Sequence, residues 1–299
     1  MKEILALAVG GGGARGALQV GALRAILETG YQPAILTGTS IGAVNSTFLA
    51  IRGISLASID ALVEAWRDAK KAELLPSNYL WLTVRSFFKR PVVNPLHRME
   101  AFFREHGLTP DIKYGDIQDV TLLSIAADLN QGKPFIYGVD PNQSVLEGVL
   151  ASTALPPWIE PIERDGSWLM DGGAVSPLPI EPALNAGATR VIALDLSDSR
   201  QVDTNAHGFG PFFTKLLYTS EKRHVETELA LAEARRVPVH YINLISEEVV
   251  PIWDFSQTEA LIEQGYNITV KEVANWRADE RPAWHNWLPE GWRRRLRKR

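Results

Sequence analysis

The chain of 299 residues contains no cysteine. A disulfide framework, a thiolate metal site and a cysteine nucleophile are therefore excluded. The sequence also lacks any apolar run close to the roughly 20 residues that span a bilayer. Residues 1–13 lack an apolar stretch long enough for a signal peptide. We therefore expect a cytoplasmic protein whose contact with a membrane is at most peripheral.

No other part of the chain is as rich in positive charge as residues 293–299. The formal net charge is −4, and six of these seven residues are positively charged. Without them the net charge is about −10, which is too acidic for a nucleic-acid-binding surface. Hydrophobic residues make up 45% and charged residues 22%, as in an ordinary globular protein.

Apolar, β-prone runs alternate with helix-like segments along the chain. They begin near residues 3, 34, 121, 134, 190 and 238. This alternation predicts an α/β fold with a mostly parallel central sheet. Two long helices are predicted at residues 212–237 and 257–277.

Residues 53–118 read as helices without a strand, which predicts a helical cap inserted into one domain spanning residues 1–283. Within the cap, residues 78–91 are amphipathic and aromatic. They either pack on the core or contact acyl chains or lipid. Residues 284–299 form a basic tail that contains three tryptophans.

Four consecutive glycines, Gly10–Gly13, follow the first predicted strand and are called the glycine loop below. Gly11, Gly13 and Gly16 match G-x-G-x-x-G, whose N–H groups can approach a pyrophosphate. A dinucleotide site also needs an acidic residue where the second strand ends, and residues 29–59 contain none. The same N–H groups suit an oxyanion hole, which stabilises the oxygen that becomes negative when an acyl carbonyl is attacked.

A second glycine motif follows the second predicted strand. Gly38, Ser40 and Gly42 form G-x-S-x-G before a helix predicted to begin at Ile41. In a nucleophile elbow, this spacing exposes the serine hydroxyl at a sharp strand-to-helix turn. We therefore predict Ser40 to be a nucleophile, with a small buried turn residue as the alternative.

The residue pattern leaves the partner of Ser40 open. Asp195 and His240 follow Ser40 in the order of an α/β-hydrolase triad, although His240 lies inside a predicted strand. Asp171 begins a D-G-G sequence, which is also a common turn. Asp195 and Asp198 lack histidine or glutamate at metal-binding spacing, so no metal is assigned.

Four motifs in this order resemble those of the patatin-like phospholipases, serine acyl hydrolases with a Ser–Asp dyad. They are GGGARG at 11–16, GTSIGA at 38–43, ASTALPPWIEP at 151–161 and DGGA at 171–174. The resemblance implies a three-layer α/β/α patatin-like fold with a mostly parallel sheet and a helical cap. It departs from the family at Ser176, where an asparagine is usual after D-G-G.

The resemblance also implies roles for individual residues. Ser40 and Asp171 would form the catalytic dyad, with Asp171 as the general base. Backbone N–H groups of the glycine loop would form the oxyanion hole. The full set of implied oxyanion and motif residues is Gly11, Gly12, Gly13, Arg15, Gly16, Gly38, Gly42, Gly172 and Gly173.

The implied function is hydrolysis of a phospholipid, a lysophospholipid or another acyl ester through an acyl-enzyme, without a cofactor. Two alternatives remain open. One is a general carboxylesterase or thioesterase with a Ser40–Asp195–His240 triad. The other is a non-catalytic membrane-binding or regulatory module. The tryptophans and six cations of the tail suit an anionic membrane surface, and a solvated tail is the alternative.

Overall fold

A computed structural model describes residues 3–72, 95–156, 158–201 and 208–279. The aromatic stretch at 78–91 and the basic tail at 284–299 lie outside the described residues. The strands within these ranges are Leu5–Val9 (β1), Ile35–Thr39 (β2), Thr121–Asp128 (β3), Lys133–Tyr137 (β4), Ile162–Arg164 (β5), Ser167–Asp171 (β6), Arg190–Asp195 (β7) and Val239–Asn243 (β8). The helices are Gly16–Glu28 (α1), Ile41–Arg52 (α2), Leu56–Ala72 (α3), Pro95–Glu105 (α4), Val145–Ser152 (α5), Ile180–Asn185 (α6), Phe209–Ala234 (α7) and Thr258–Asp279 (α8).

The strands form one sheet in which hydrogen bonds link successive members of the series β5, β6, β3, β2, β1, β7 and β8, and β4 also pairs with β3. β1, β2, β3, β7 and β8 run parallel, whereas β4, β5 and β6 join by antiparallel pairs. The predicted α/β fold with a mostly parallel sheet is therefore confirmed. β5 was not predicted from the sequence, because a three-residue strand carries no recognisable periodicity.

Two strands meet end to end on one edge of β3. β2 pairs in parallel up to Thr39, which lies opposite Ile125. β6 pairs antiparallel and ends at Asp171, which lies opposite the next residue, Ala126. β4 pairs with Ser124–Asp128 and therefore occupies the other edge of β3. The carboxyl ends of β2 and β6 consequently face each other, although they are far apart in sequence.

The sheet separates two apolar layers, and alternate residues of β1 belong to opposite layers. All five of its residues are buried. Leu5, Leu7 and Val9 belong to the core cluster formed with α1, α2 and α8, whereas Ala6 and Ala8 belong to the cluster formed with α6 and α7. A strand buried on both faces reads as a continuous apolar run, as in LALAV. The three-layer α/β/α arrangement is therefore confirmed.

The described helices of the predicted cap, α3 and α4, pack onto the main core. Trp66 of α3 and Phe103 of α4 belong to the same apolar cluster as Leu7 of β1. The domain limits at residues 1–283 and 53–118 stay predictions. No helix in the described ranges is long and apolar enough to cross a membrane.

Candidate active site

Ser40 occupies a strained turn between β2 and α2. Its φ is 55° and its ψ is −125°, a conformation that non-glycine residues rarely adopt. Close backbone approach explains the flanking glycines. A Cβ on Gly42 would lie 2.1 Å from the carbonyl oxygen of Val9, and one on Gly38 would lie 2.5 Å from the Cα of Ala43. The motif therefore folds into the sharp strand-to-helix turn expected from its spacing.

The backbone of Ser40 is held by a residue that sequence reasoning missed. The N–H of Ser40 donates to Ser152 Oγ at 2.9 Å, and that hydroxyl donates to the carbonyl of Ile125 at 2.6 Å. Ser152 thus connects the Ser40 turn to β3, beside which β2 ends. Its only sequence signal was its place in the block at 151–161.

Asp171 lies beside Ser40 because β6 ends opposite the end of β2. Its side chain is buried, with 4% exposure, and Oδ1 accepts from the N–H of Gly173 at 2.8 Å. Burial raises the pKa of Asp171 to about 6, while hydrogen bonds from the Ser40 hydroxyl and the Gly173 N–H act in the opposite direction. A carboxylate with this pKa is a stronger base than an exposed aspartate.

The glycine loop reaches Ser40 from the end of β1. A Cβ on Gly11 would lie 3.2 Å from the Cβ of Ser40. The N–H of Gly11 donates to the carbonyl of Pro177 at 3.0 Å, which corrects the expectation that it serves as an oxyanion donor. Within the described ranges, the N–H groups of Gly12 and Gly13 have no acceptor. These two N–H groups are therefore available to a bound ligand.

Buried polar side chains fix the glycine loop. Arg15 is 8% exposed and donates to the carbonyls of Leu196 at 2.7 Å and Gly12 at 3.3 Å. Gln19 donates to the carbonyl of Gly10 at 2.8 Å. Arg15 thus anchors the loop. Gly16 begins α1 and packs against Ile41, where a Cβ would meet that side chain at 2.5 Å.

The residues after Asp171 form a short helical turn beginning with Gly172 and Gly173. The carbonyl of Ser176, at the position where the motif departs from the family, accepts from the Thr39 hydroxyl at 2.7 Å. The Ser176 hydroxyl donates to Glu228 of α7, whose pKa burial raises to about 7. Ser176 therefore links Thr39, at the end of β2, to Glu228 of α7 by hydrogen bonds.

An apolar cavity of about 570 Å³ opens at Ser40 and Asp171. Its lining includes apolar residues of α2, α3 and α4, among them Phe48, Trp66 and Met99. A cavity of this size and character suits a small organic or lipid ligand.

Glu221 of α7 also lines the cavity and was not predicted, because it lies in a helix rich in polar residues. Burial raises the pKa of Glu221 to about 7, the carboxylates of Asp195 and Asp171 add to this effect, and Arg15 opposes it.

The alternative triad is not assembled. His240 lies opposite Ile192 in the sheet and stacks on Trp276 with the ring centroids 4.2 Å apart. Asp195 lies opposite Asn243 and accepts from the Tyr241 hydroxyl at 2.6 Å. Because successive residues of a strand face opposite sides of the sheet, the side chains of Asp195 and His240 point to different layers.

The described part of the chain holds no group of three or more histidine, aspartate or glutamate side chains arranged to bind a metal. Asp198, considered earlier as a metal ligand, instead forms an ion pair with Arg200 at 2.8 Å.

Comparison with known proteins finds relatives named as patatin-like phospholipase domain-containing proteins. The mouse protein "Patatin-like phospholipase domain-containing protein 7" is 31% identical over 209 residues, which are 68% of this chain and 14% of that protein. The human "Patatin-like phospholipase domain-containing protein 6" is 29% identical over 210 residues, again 68% of this chain and 14% of that protein. The chain thus spans about one seventh of the length of these curated relatives.

Among solved structures, VipD from Legionella pneumophila covers 91% of this chain and 67% of its own, at 13% identity and a TM-score of 0.44. The family model described as "Patatin-like phospholipase" matches residues 7–184, which include Ser40, Asp171 and the glycine loop. That match covers more than half of the sequence and all four motifs. The chain therefore belongs to the patatin-like phospholipase family.

Proposed function

We propose that this protein is a serine hydrolase that cleaves acyl esters of lipids, with Ser40 as the nucleophile and Asp171 as the general base. The observation that carries the proposal is the pairing of a strained, glycine-flanked Ser40 with a buried Asp171 at the mouth of an apolar cavity. Membership of the patatin-like phospholipase family supports the same reaction class.

In the first half of the reaction, Asp171 accepts the proton of the Ser40 hydroxyl while Ser40 Oγ attacks the ester carbonyl. The carbonyl oxygen becomes negative in the tetrahedral intermediate. Donation from the N–H groups of Gly12 and Gly13 would stabilise it, and one such donor is typically worth about 3 kcal/mol of transition-state stabilisation. The intermediate collapses when the bond to the leaving oxygen breaks, and Asp171 returns the proton to that oxygen.

In the second half, water takes the place of the alcohol. Asp171 accepts a proton from the water as its oxygen attacks the acyl carbonyl on Ser40. The second tetrahedral intermediate expels Ser40 Oγ, which recovers its proton from Asp171, and the fatty acid leaves. No cofactor takes part in this sequence. Asp171 acts as a base and then as an acid in each half, so its pKa of about 6 suits turnover near neutral pH.

The substrate class proposed is a phospholipid, a lysophospholipid or another long-chain acyl ester. The apolar cavity beside Ser40 supports an acyl chain rather than a polar substituent. A thioester would use the same residues, so oxygen and sulfur esters should be compared directly.

The test is hydrolysis of p-nitrophenyl acyl esters by the wild type, Ser40→Ala, Asp171→Asn and His240→Ala. We expect Ser40→Ala and Asp171→Asn to lose activity and His240→Ala to keep it. Labelling by a fluorophosphonate should require Ser40. An active Asp171→Asn variant together with an inactive His240→Ala variant would overturn the dyad. A wild type that binds lipid vesicles but is neither labelled nor active would favour a binding module.

We further propose that the basic tail, residues 284–299, makes peripheral contact with anionic membranes. Basic side chains near such a surface contribute about 1 kcal/mol each, and tryptophan favours the interface. Deletion of residues 284–299 should abolish sedimentation with phosphatidylserine-containing vesicles while leaving hydrolysis of a soluble ester unchanged. Equal sedimentation of the shortened and full-length chains would contradict this.

A further inference from the structure

One face of α2 lines the cavity along the whole helix. Starting from Ser40, the lining residues on this face include Val44, Phe48, Ile51 and Arg52. Their spacing of three to four residues follows the helical repeat, so they form a continuous stripe. α2 has 12 residues and is therefore about 18 Å long. We call the space along this stripe the α2 channel.

The α2 channel is apolar along its sides. Trp66 of α3 and Met99 and Phe103 of α4 line the cavity with α2, and each of the three is less than a tenth exposed. Thr47 of α2, whose buried hydroxyl has no partner in the described ranges, is the polar side chain of α2 between these apolar groups. Because the rest of this lining offers a polar group little hydrogen bonding, the lining favours a hydrocarbon ligand.

Charged and polar groups stand at the far end of the α2 channel. Arg52 Nη2 donates to the carbonyl of His106 at 3.2 Å, and its guanidinium lies 4.7 Å from the centre of the Phe48 ring. His106 Nε2 lies 3.5 Å from a carboxylate oxygen of Asp68. Arg52 and His106 both line the cavity. Arg52 and Asp68 are exposed, so methylenes that extended past this cluster would lie among charges and water and gain no burial, which sets a limit to the useful chain length.

We propose that the α2 channel is a length-selective site for a straight acyl chain, which runs from the ester at Ser40 along α2 and ends at Arg52 and His106. The hydrocarbon core of a bilayer is about 30 Å thick, so the acyl chains of one leaflet span about 15 Å. The channel length therefore matches the long acyl chains of membrane lipids. This inference rests on the proposed ester hydrolysis and adds which acyl chains are preferred and which residues select them.

Two substitutions that narrow the channel at different depths test the proposal. Val44 lies about 6 Å along α2 from Ser40, and Ile51 lies about 16 Å along it. Val44→Trp should therefore block all but the shortest acyl chains, whereas Ile51→Trp should exclude only the longest. Val63→Trp is the matched control, because Val63 is a partly buried residue of α3 that is not part of the cavity lining.

The measurement is kcat/KM on the p-nitrophenyl esters of butyrate, decanoate and palmitate. In the wild type each buried methylene should raise kcat/KM, by up to about fourfold. Ile51→Trp should lower the palmitate value about tenfold or more while retaining butyrate and decanoate, and Val44→Trp should also lose decanoate. Val63→Trp should keep the wild-type profile. An unchanged ratio of palmitate to butyrate in both channel variants would overturn the proposal.

A binding measurement separates this inference from the proposed reaction. In the Ser40→Ala background, neutral decanamide and hexadecanamide can displace Nile red from the cavity without turnover. Hexadecanamide should bind about tenfold or more weakly after Ile51→Trp, whereas decanamide should be unaffected. Chain-selective binding without ester hydrolysis would refute the reaction and keep the channel. Ser40-dependent hydrolysis with unaltered amide binding would refute the channel alone. Thermal unfolding of each variant checks that it is folded.

Discussion

At the scale of single residues, Ser40 lies at the proposed site of reaction and has a strained backbone conformation. A serine at φ 55° is strained, and such strain typically costs about 1–3 kcal/mol. The hydrogen bond from its N–H to Ser152 and the close packing of Gly42 against β1 hold the conformation. The strain should therefore appear as instability in any variant that keeps a Cβ at this position.

A comparison of Ser40→Gly with Ser40→Ala separates the effect of backbone strain on stability from the loss of the nucleophile. Both remove the nucleophile, so both should be inactive. Only glycine adopts a positive φ without cost, and its larger unfolded-state entropy offsets part of the gain. We expect Ser40→Gly to be more stable than Ser40→Ala by about 1 kcal/mol in urea denaturation. If Ser40→Gly is the less stable of the two, the turn is not strained.

Asp171 should make the protein less stable above neutral pH. Folding raises its pKa from 3.8 to about 6, so its contribution to stability is complete below about pH 4 and is lost as the pH rises through 6. Asp171→Asn removes the buried charge and keeps an acceptor for Gly173. At pH 8 we expect this variant to gain up to about 3 kcal/mol in free energy of unfolding, with no gain near pH 4. Ser40→Ala is the control, because it retains the buried carboxylate and should still lose stability as the pH rises, with the loss moved to higher pH by removal of the Ser40 hydrogen bond that lowers the pKa of Asp171.

Glu221 should limit activity at higher pH. Below its pKa of about 7 it is neutral, and above it a second negative charge appears in a cavity that already contains Asp171. This charge opposes formation of the oxyanion. The positive charge of Arg15 partly offsets this effect, and the negative charge of Asp195 adds to it.

The wild-type profile of kcat/KM should therefore rise with pH through about 6, as Asp171 ionises, and decline above about 7. Glu221→Gln should keep the rise and lose the decline. An identical profile in wild type and variant would show that Glu221 does not affect the reaction.

At the scale of secondary-structure elements, the contact between β1 and α2 depends on the absence of a side chain at Gly42. A Cβ there would lie 2.1 Å from the carbonyl oxygen of Val9, and backbone cannot move aside as a flexible side chain can. Gly42→Ala should therefore destabilise the protein by about 3 kcal/mol or more. Ala50→Gly, the reverse change at a buried position of the same helix, should cost about 2 kcal/mol, from helix propensity and from the lost buried methyl group. Equal losses in urea denaturation would mean that the helix shifts to accept the methyl group.

At the scale of the whole molecule, α8 lies outside the family match at residues 7–184 but packs intimately on α1 within it. A Cβ on Gly21 of α1 would lie 1.9 Å from the carbonyl oxygen of Ile262, and one on Gly265 would lie 1.9 Å from that of Leu18. Two helix backbones in such close contact bury surface that neither can leave exposed. The residues after 200 therefore belong to the same core as the dyad.

Truncation tests this dependence. A chain ending at residue 200 keeps the whole matched region but loses α7, β8 and α8, so we expect no cooperative thermal unfolding. A chain ending at residue 283 should unfold at the same temperature as the full chain, in line with the predicted domain limit. Cooperative unfolding of the shorter chain would place the domain boundary near residue 200 instead.

Features that are encoded within a few neighbouring residues can be read from the sequence alone. The alternation of strands and helices, the glycine loop and the turn at Ser40 follow from periodicity and from backbone conformations that only nearby glycines permit. These signals predicted the parallel sheet and the position of the candidate nucleophile.

Which distant groups meet depends on the packing of the whole chain. Asp171 reaches Ser40 because β2 and β6 end at adjacent residues of β3, a register set by long-range packing rather than by local pattern. The same packing commits the N–H of Gly11 to Pro177, turns His240 away from Asp195 and brings Glu221 to the cavity. Local sequence fixes the conformation of each segment, whereas the partners of a buried polar group depend on how all the segments pack together.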